Sequence, residues 1–324
     1  MASELLPFLL KANLALAAAV LLVLALRRPI RVLFGAHSAY ALWLIVPLSI
    51  LALLIPARTI IVPQQTIRGA PTASPAIAPV AETPTATVVT QAQRLNLPLA
   101  EIALGLWGVV ALAALSIQAE RQRRFVRSLG RLKAVDGLLW SDRPGVGPAV
   151  IGALAPRVVL PADFAQRFTP QEQTLILAHE YNHLVAGDAK INAVVTGFQC
   201  LFWFNPLIHL GAAALRVDQE IACDAAVVAR HPQTRRAYGE AMLKTQLAAC
   251  APPLGCHWPA SANQQLKERF TMLSRHHSSR RRHLAGAAAV AILSLSAGVA
   301  AWAAQPAQVV HARHAASPEA RRLG

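Results

Sequence analysis

Residues 179–183 read His-Glu-Tyr-Asn-His, and residues 220–224 read Glu-Ile-Ala-Cys-Asp. In a helix, positions i and i+4 share one face. His179 and His183 can therefore turn both imidazoles toward one metal ion. Glu180 would stand beside that ion rather than on it, where a general base takes a proton from an activated water. Glu220 can supply a third ligand and leave the fourth position of a zinc ion open. Asp224 follows one turn later on the same face, placed to accept the outer N–H of a ligand histidine and fix its tautomer. The competing reading is a pair of histidines on a surface helix. The second string, in order and on its own helix, makes the pair more specific than either alone.

Composition points to a membrane. The chain has 324 residues, 55% of them hydrophobic, and a formal charge of +15. Its mean hydropathy is +0.41. The basic residues cluster beside apolar stretches rather than spreading over one soluble face, which argues for membrane topology and against direct binding of nucleic acid. A span needs about 20 apolar residues. Four stretches qualify, at about 5–26, 39–60, 97–117 and 284–302. The first lacks the basic start of a cleavable signal peptide. Arg27, Arg28 and Arg31 follow the first span, Arg121, Arg123, Arg124 and Arg127 follow the third, and Arg280–Arg282 precede the fourth. Positive charge favours the cytoplasmic side, so both termini and the 57–96 loop are expected outside. Lys11 and Glu101 read as anchors near the outer ends of their spans.

The fold class expected is mainly α, a polytopic membrane protein with four transmembrane helices and a cytoplasmic α+β zinc-peptidase domain. Residues 1–118 form a membrane region with a Pro/Ala/Thr-rich outer loop, 119–283 the peptidase domain, 284–302 the fourth helix and 303–324 a short outer tail. The soluble part should open with a basic helix from Glu120 to about Lys133. Short strands at 137–141, 149–151 and 157–160 follow, separated by Gly and Pro. Thr169-Pro170 with Glu172 then has the pattern of a capping box that starts the histidine-bearing helix. Residues 191–215 are almost wholly apolar and could be mistaken for a fifth span. A crossing there would put His179 and Glu220 on opposite sides of the bilayer. Asn205-Pro206 interrupts the run with a turn signal, so two buried or membrane-hugging helices are expected instead.

These strings together resemble a known family. Val146–Gly152, Pro156–Pro161, His179–His183 with Asp188, Phe204-Asn-Pro206 and Glu220–Asp224 look like the membrane metallopeptidase domain of the BlaR/MecR penicillin-sensing antirepressors. The resemblance implies a gluzincin-type zinc endopeptidase of the bacterial inner membrane that faces the cytoplasm. It implies Zn2+ on His179, His183 and Glu220, with Glu180 as catalytic acid/base and Asp188 and Asp224 in support. It also implies a protein substrate, a DNA-binding repressor in the sensing members. Those members carry a penicillin-binding domain after the fourth span. Here 22 residues follow Trp302 and contain no Ser-x-x-Lys, so β-lactam binding by this chain is not expected.

Two other functions share some of these features. A housekeeping protease of the HtpX kind also has His-Glu-x-x-His and a later Glu-x-x-x-Asp. A non-catalytic transducer could use the same scaffold, although it has no need of Glu180. For a second oxyanion donor, His209, His231 and Tyr238 are candidates, each more commonly a packing or surface residue. Cys200 and Cys223 lie in a reducing compartment, so no disulfide is expected. Cys250, Cys256 and His257 fit no strong zinc spacing. The run Arg275–His283 reads as a juxtamembrane basic segment facing anionic lipid.

Overall fold

The computed structural model describes residues 2–63, 98–248, 262–273 and 279–312. The Pro/Ala/Thr-rich stretch beyond residue 63, Cys250, Cys256, His257 and the Arg275–Ser278 part of the basic run lie outside these residues.

The chain starts with α1 (Ala2–Phe34), which runs past the apolar stretch and carries Arg27, Arg28 and Arg31 on its last turns. Gly35, at φ 97°, ends it. A bent apolar hairpin arm follows: α2 (Ala36–Ala41), a 3-10 turn (Leu42–Leu44) and α3 (Ile45–Ala52). This arm spans 17 residues. At 1.5 Å per residue it is about 25 Å long, the lower limit for a crossing. The second expected span is therefore shorter than its apolar stretch suggests. After Pro56 the chain is extended and forms β1 (Thr59–Pro63).

The third apolar stretch and the basic helix are one element, α4 (Leu99–Ser128), because nothing between Ile117 and Ser128 breaks a helix. The basic helix does not reach Lys133. Gly130, at φ 74°, turns the chain into β2 (Leu132–Val135), which pairs antiparallel with β3 (Leu138–Ser141). Asp136 and Gly137 both have positive φ, 50° and 79°, as a two-residue hairpin turn requires. With β4 (Ala149–Ile151) and β5 (Arg157–Leu160) they form a sheet in the order β2-β3-β5-β4.

Helix α5 (Phe164–Arg167) leads into α6 (Pro170–Ala186), which begins with the expected capping box between Thr169 and Glu172. Gly187, at φ 72°, caps α6 and allows an immediate turn into α7 (Asp188–Leu201). Asn205 caps α8 (Pro206–Arg230) by accepting from the backbone N–H of Leu207. Then come α9 (Arg235–Ala248), α10 (Ala262–Leu273), α11 (Arg280–Ala303) and β6 (Gln308–Ala312), which pairs parallel with β1. Among the described residues, three helices are long and apolar enough to cross a membrane: α1, α4 and α11.

Two cores hold the motif helices. Leu160, Phe164, Phe168 and Ile176 join the sheet to α6, with Trp140 packed against them. Leu175, Val227, Tyr238, Met242 and Leu273 join α6, α8, α9 and α10. Burying one such side chain contributes about 1.5–3 kcal/mol.

The apolar run 191–215 is not one continuous helix. It folds back at Asn205-Pro206, as the turn signal implied, and lies along α1. Phe202 and Ile208 pack on Ala12, Leu16 and Val20. Asn205 Nδ2 donates to Asn13 Oδ1 at 2.7 Å. At Gly211 the two helices touch so closely that a Cβ would sit 2.9 Å from Val20. At the other end Asp218, 1% exposed, lies between Arg27 and Arg31 and accepts from Trp43 Nε1 at 2.8 Å.

Candidate metal centre

Helix spacing places the two histidines as expected, and α8 brings the acid to them. His179 Nε2 and His183 Nε2 are 3.1 Å apart. Glu220 Oε2 is 3.6 Å from His179 Nε2, and Glu220 Oε1 is 3.6 Å from His183 Nε2. A tetrahedral zinc ion with bonds of about 2.0–2.1 Å needs ligand atoms about 3.4 Å apart. The two imidazole nitrogens and the Glu220 carboxylate are thus close to the spacing that one such ion requires. The Glu220 side chain is 37% exposed while both histidines are nearly buried, so the cluster opens on its carboxylate side. Glu180 is buried on α6, close enough to His183 and Cys223 for its charge to act on both.

Behind each histidine stands a carboxylate. His183 Nδ1 lies 2.6 Å from Asp188 Oδ2. Asp188 reaches it because Gly187 reverses the chain and puts Asp188 in the first turn of α7. On the other side, Asp224 Oδ1 is 3.3 Å from His179 Nδ1. Tyr238 Oη lies 2.8 Å from the same nitrogen and donates to Asp224 Oδ1 at 2.6 Å. Both expected supporting acids are thus brought to the histidines, each on the Nδ1 edge. That edge is the one that fixes the tautomer with Nε2 free for metal.

Charge favours a cation at this place. Burial opposes a proton on His179, but Asp224 and Glu220 override it and raise its pKa to about 10. Burial also opposes charge on His183, and Asp188 and Glu220 outweigh it. Desolvation would push Glu220 up, yet Arg269 and the two histidines hold its carboxyl well below the usual range. Asp224, against its own burial, is lowered to about 2, chiefly by Arg269.

Arg269, on α10, carried no sequence signal. It is 7% exposed. It donates to Asp224 through Nε at 2.7 Å and Nη2 at 2.8 Å, while Nη1 lies 3.0 Å from Glu220 Oε2. Nothing in local periodicity pairs a residue 45 positions away with Asp224. The same holds for Tyr40, which donates to Asp188 Oδ1 at 2.5 Å. It lies in a stretch that reads as lipid-facing.

The three candidate oxyanion donors stand elsewhere. Tyr238 is committed to the rear of His179. His209 and His231 each lie 11 residues from Glu220 on the axis of α8 or at its end, about 16 Å away by helix rise. His209 instead contacts Gln199 and the Trp203 carbonyl. Cys200 and Cys223 are buried thiols. Burial and the surrounding carboxylates push the Cys223 thiol up.

A helix-borne pair of histidines, a carboxylate on a second helix and an adjacent glutamate are residue types that could hold a metal ion in a metallopeptidase. The chain belongs to the BlaR1 peptidase M56 family, whose model matches residues 7–273. It is similar to the methicillin resistance mecR1 protein of Staphylococcus aureus, 27% identical over 136 residues, which are 40% of this chain and 23% of that protein. The mecR1 protein of Staphylococcus epidermidis matches to the same extent. The regulatory protein BlaR1 of Bacillus licheniformis is 32% identical over 98 residues, 30% of this chain and 16% of that protein. The matched part of this chain thus spans less than a quarter of the length of these relatives.

Proposed function

We propose that this chain is an integral-membrane zinc endopeptidase that cuts a cytoplasmic regulatory protein, a DNA-binding repressor being the class that fits. The observation that carries the reading is the cluster of His179, His183 and Glu220, with the two imidazole nitrogens 3.1 Å apart and a different Glu220 oxygen 3.6 Å from each, beside the buried Glu180. Family membership and the regulatory relatives support it.

In this reading His179, His183 and Glu220 hold the zinc. Zinc held there supplies Lewis acidity, which brings the pKa of water to about 7 and polarises a carbonyl. Asp188 accepts the Nδ1 proton of His183, Tyr238 Oη accepts that of His179 while donating its own to Asp224, and both Nε2 lone pairs stay turned inward. Glu180 accepts the proton of the attacking water at a carboxylate oxygen and delivers it to the leaving amine. Arg269 holds Glu220 and Asp224 in one orientation and keeps both ionised.

The membrane placement is part of the proposal. Four spans, with α2–α3 as a short second one, put the amino terminus outside and residues 119–283 in the cytoplasm. Arg280–Arg282 and the arginines of α4 are exposed, as juxtamembrane charges should be. The α7–α8 hairpin then reaches into the bilayer. Its tip meets Asn13, 14 residues or about 21 Å along α1 from Arg27, where its base is held. Tip side chains Trp203 and Phe204 are exposed, as lipid contact requires. Glu220 follows Asp218 by two residues, so the metal centre sits at the inner rim of the bilayer.

The test compares new protein N-termini in native cells that express wild type or Glu180→Gln. A small set of cytoplasmic cleavages lost in the variant would name the substrate. General base catalysis contributes about 10²–10⁴-fold, so loss should be near complete. Loss of many membrane-protein fragments would favour quality control. Identical profiles under every stress tried would refute the catalytic reading.

A further inference from the structure

Tyr40 sits between the membrane arm and the metal centre. It belongs to α2, which packs on α1 and α8. Its hydroxyl donates to Asp188 Oδ1 at 2.5 Å, and the other oxygen of that carboxylate is 2.6 Å from His183 Nδ1. Gln219, the neighbour of Glu220, donates through Nε2 to the Tyr40 oxygen at 3.3 Å. Asp188 is 3% exposed and Gln219 2%, so water does not compete for these places. A buried carboxylate with one oxygen on a histidine needs a donor on the other, or its desolvation goes uncompensated. Of the described residues hydrogen-bonded or ion-paired to Asp188, Tyr40 is the one that comes from the membrane arm.

We propose that Tyr40 is a positioning residue of the metal centre: docking of the α2 arm on α8 completes the hydrogen-bond chain Tyr40–Asp188–His183 and so sets the orientation of one ligand. The proposal rests on the zinc reading above. The opposite histidine has a matching tie to the membrane helices. Arg31 of α1 lies 3.3 Å from Glu268, whose neighbour Arg269 grips Asp224 behind His179. A shift of the α1–α2 arm relative to α8 would therefore loosen the outer shell of both ligands at once. This gives an event at the outer face a physical route to the cytoplasmic site.

Tyr40→Phe removes the hydroxyl and keeps the ring, so the metal-free full chain should still fold, with an unfolding midpoint lowered by the loss of one buried hydrogen bond. Zinc affinity would be measured by chelator competition on the full chain in lipid nanodiscs, and ligand geometry by the visible spectrum of the Co2+ form. Tyr40→Phe should weaken zinc about tenfold, the lower end for an outer-shell loss, and alter the Co2+ spectrum. In the Asp188→Asn background the same change should have no further effect, because Tyr40 acts through that carboxylate. Wild-type affinity and spectrum in Tyr40→Phe would overturn the proposal, and so would an additive loss in the double variant. A wild type that takes up no zinc, or one whose zinc survives His179→Ala, would instead overturn the metal reading itself and the proposal with it.

Discussion

The motif helices α6 and α8 and the membrane arm α1–α2 meet at one site, yet they differ in what fixes them. In α6 and α8 the functional side chains are placed by local rules: a capping box, a spacing of four residues, a left-handed glycine. In the arm they are placed by partners about 150 to 240 positions away. Arg27 and Arg31 reach Asp218, Arg31 also reaches Glu268, and Tyr40 reaches Asp188. The first kind of information is periodic and readable in the chain. The second is created only when the arm docks. A metal centre with well-placed ligands can thus depend on a region that bears no ligand.

The sharpest way to break this comparison is at Asp218. It is buried against Arg27 and Arg31, and its loss leaves Arg27 without this counter-charge and Arg31 with Glu268 in place of two acids. Asp218→Ala should cost about 3–5 kcal/mol of stability, as expected for removing one member of a buried ion cluster. Chemical unfolding of the detergent-solubilised chain measures this. A loss below about 1 kcal/mol would mean that apolar packing alone docks the arm, and the contrast between the two regions would shrink.

The same contrast explains what was legible. The candidate residues His179, His183, Glu180, Glu220, Asp188 and Asp224 follow from spacing and from resemblance, and the fold places His179, His183, Glu220, Asp188 and Asp224 in one cluster. The turn at Asn205-Pro206 and the capping box at Thr169 were legible because Pro and Thr act within a few residues. The basic clusters looked alike in sequence but divide in the fold. Those at 121–127 and 280–282 stay exposed, whereas Arg27 and Arg31 are 8% and 5% exposed. Charge counting assigns a side of the membrane to such residues and says nothing of their partners. Tyr40 and Arg269 escaped for the same reason. The basic pattern of α4 carries the expected helix on to about Lys133, into the first half of β2, and Gly130 marks the change.

Asp224 has a local position, one turn from Glu220, and a long-range partner, Arg269. Asp224→Ala should weaken zinc about 10–100-fold, roughly 1.4–2.7 kcal/mol. Arg269 would then have Glu220 as its one remaining carboxylate among those it now contacts. If Arg269 is a brace, Arg269→Gln should reproduce part of that loss and should not add fully to it in the double variant. Unchanged zinc affinity in Asp224→Ala would remove both residues from the support of His179.

The smallest expected effect lies at the start of α6, where everything is local. Thr169 Oγ1 accepts from the Glu172 backbone N–H at 3.3 Å, and Glu172 returns a bond to the Thr169 backbone at 2.9 Å. Lys244 adds a third tie to Glu172 at 2.6 Å. Thr169→Ala removes the first bond and the hydroxyl's own bond to Glu172 Oε2 at 3.1 Å and leaves the other two, so about 1 kcal/mol of stability should go. Ten residues separate this cap from His179, nearly three turns of helix that the sheet and α9 hold from the sides. Zinc affinity should therefore match wild type. A measurable fall in affinity would mean that fraying of the first turn reaches the ligands, and that α6 is held less by its packing than the arm is by its ion pairs.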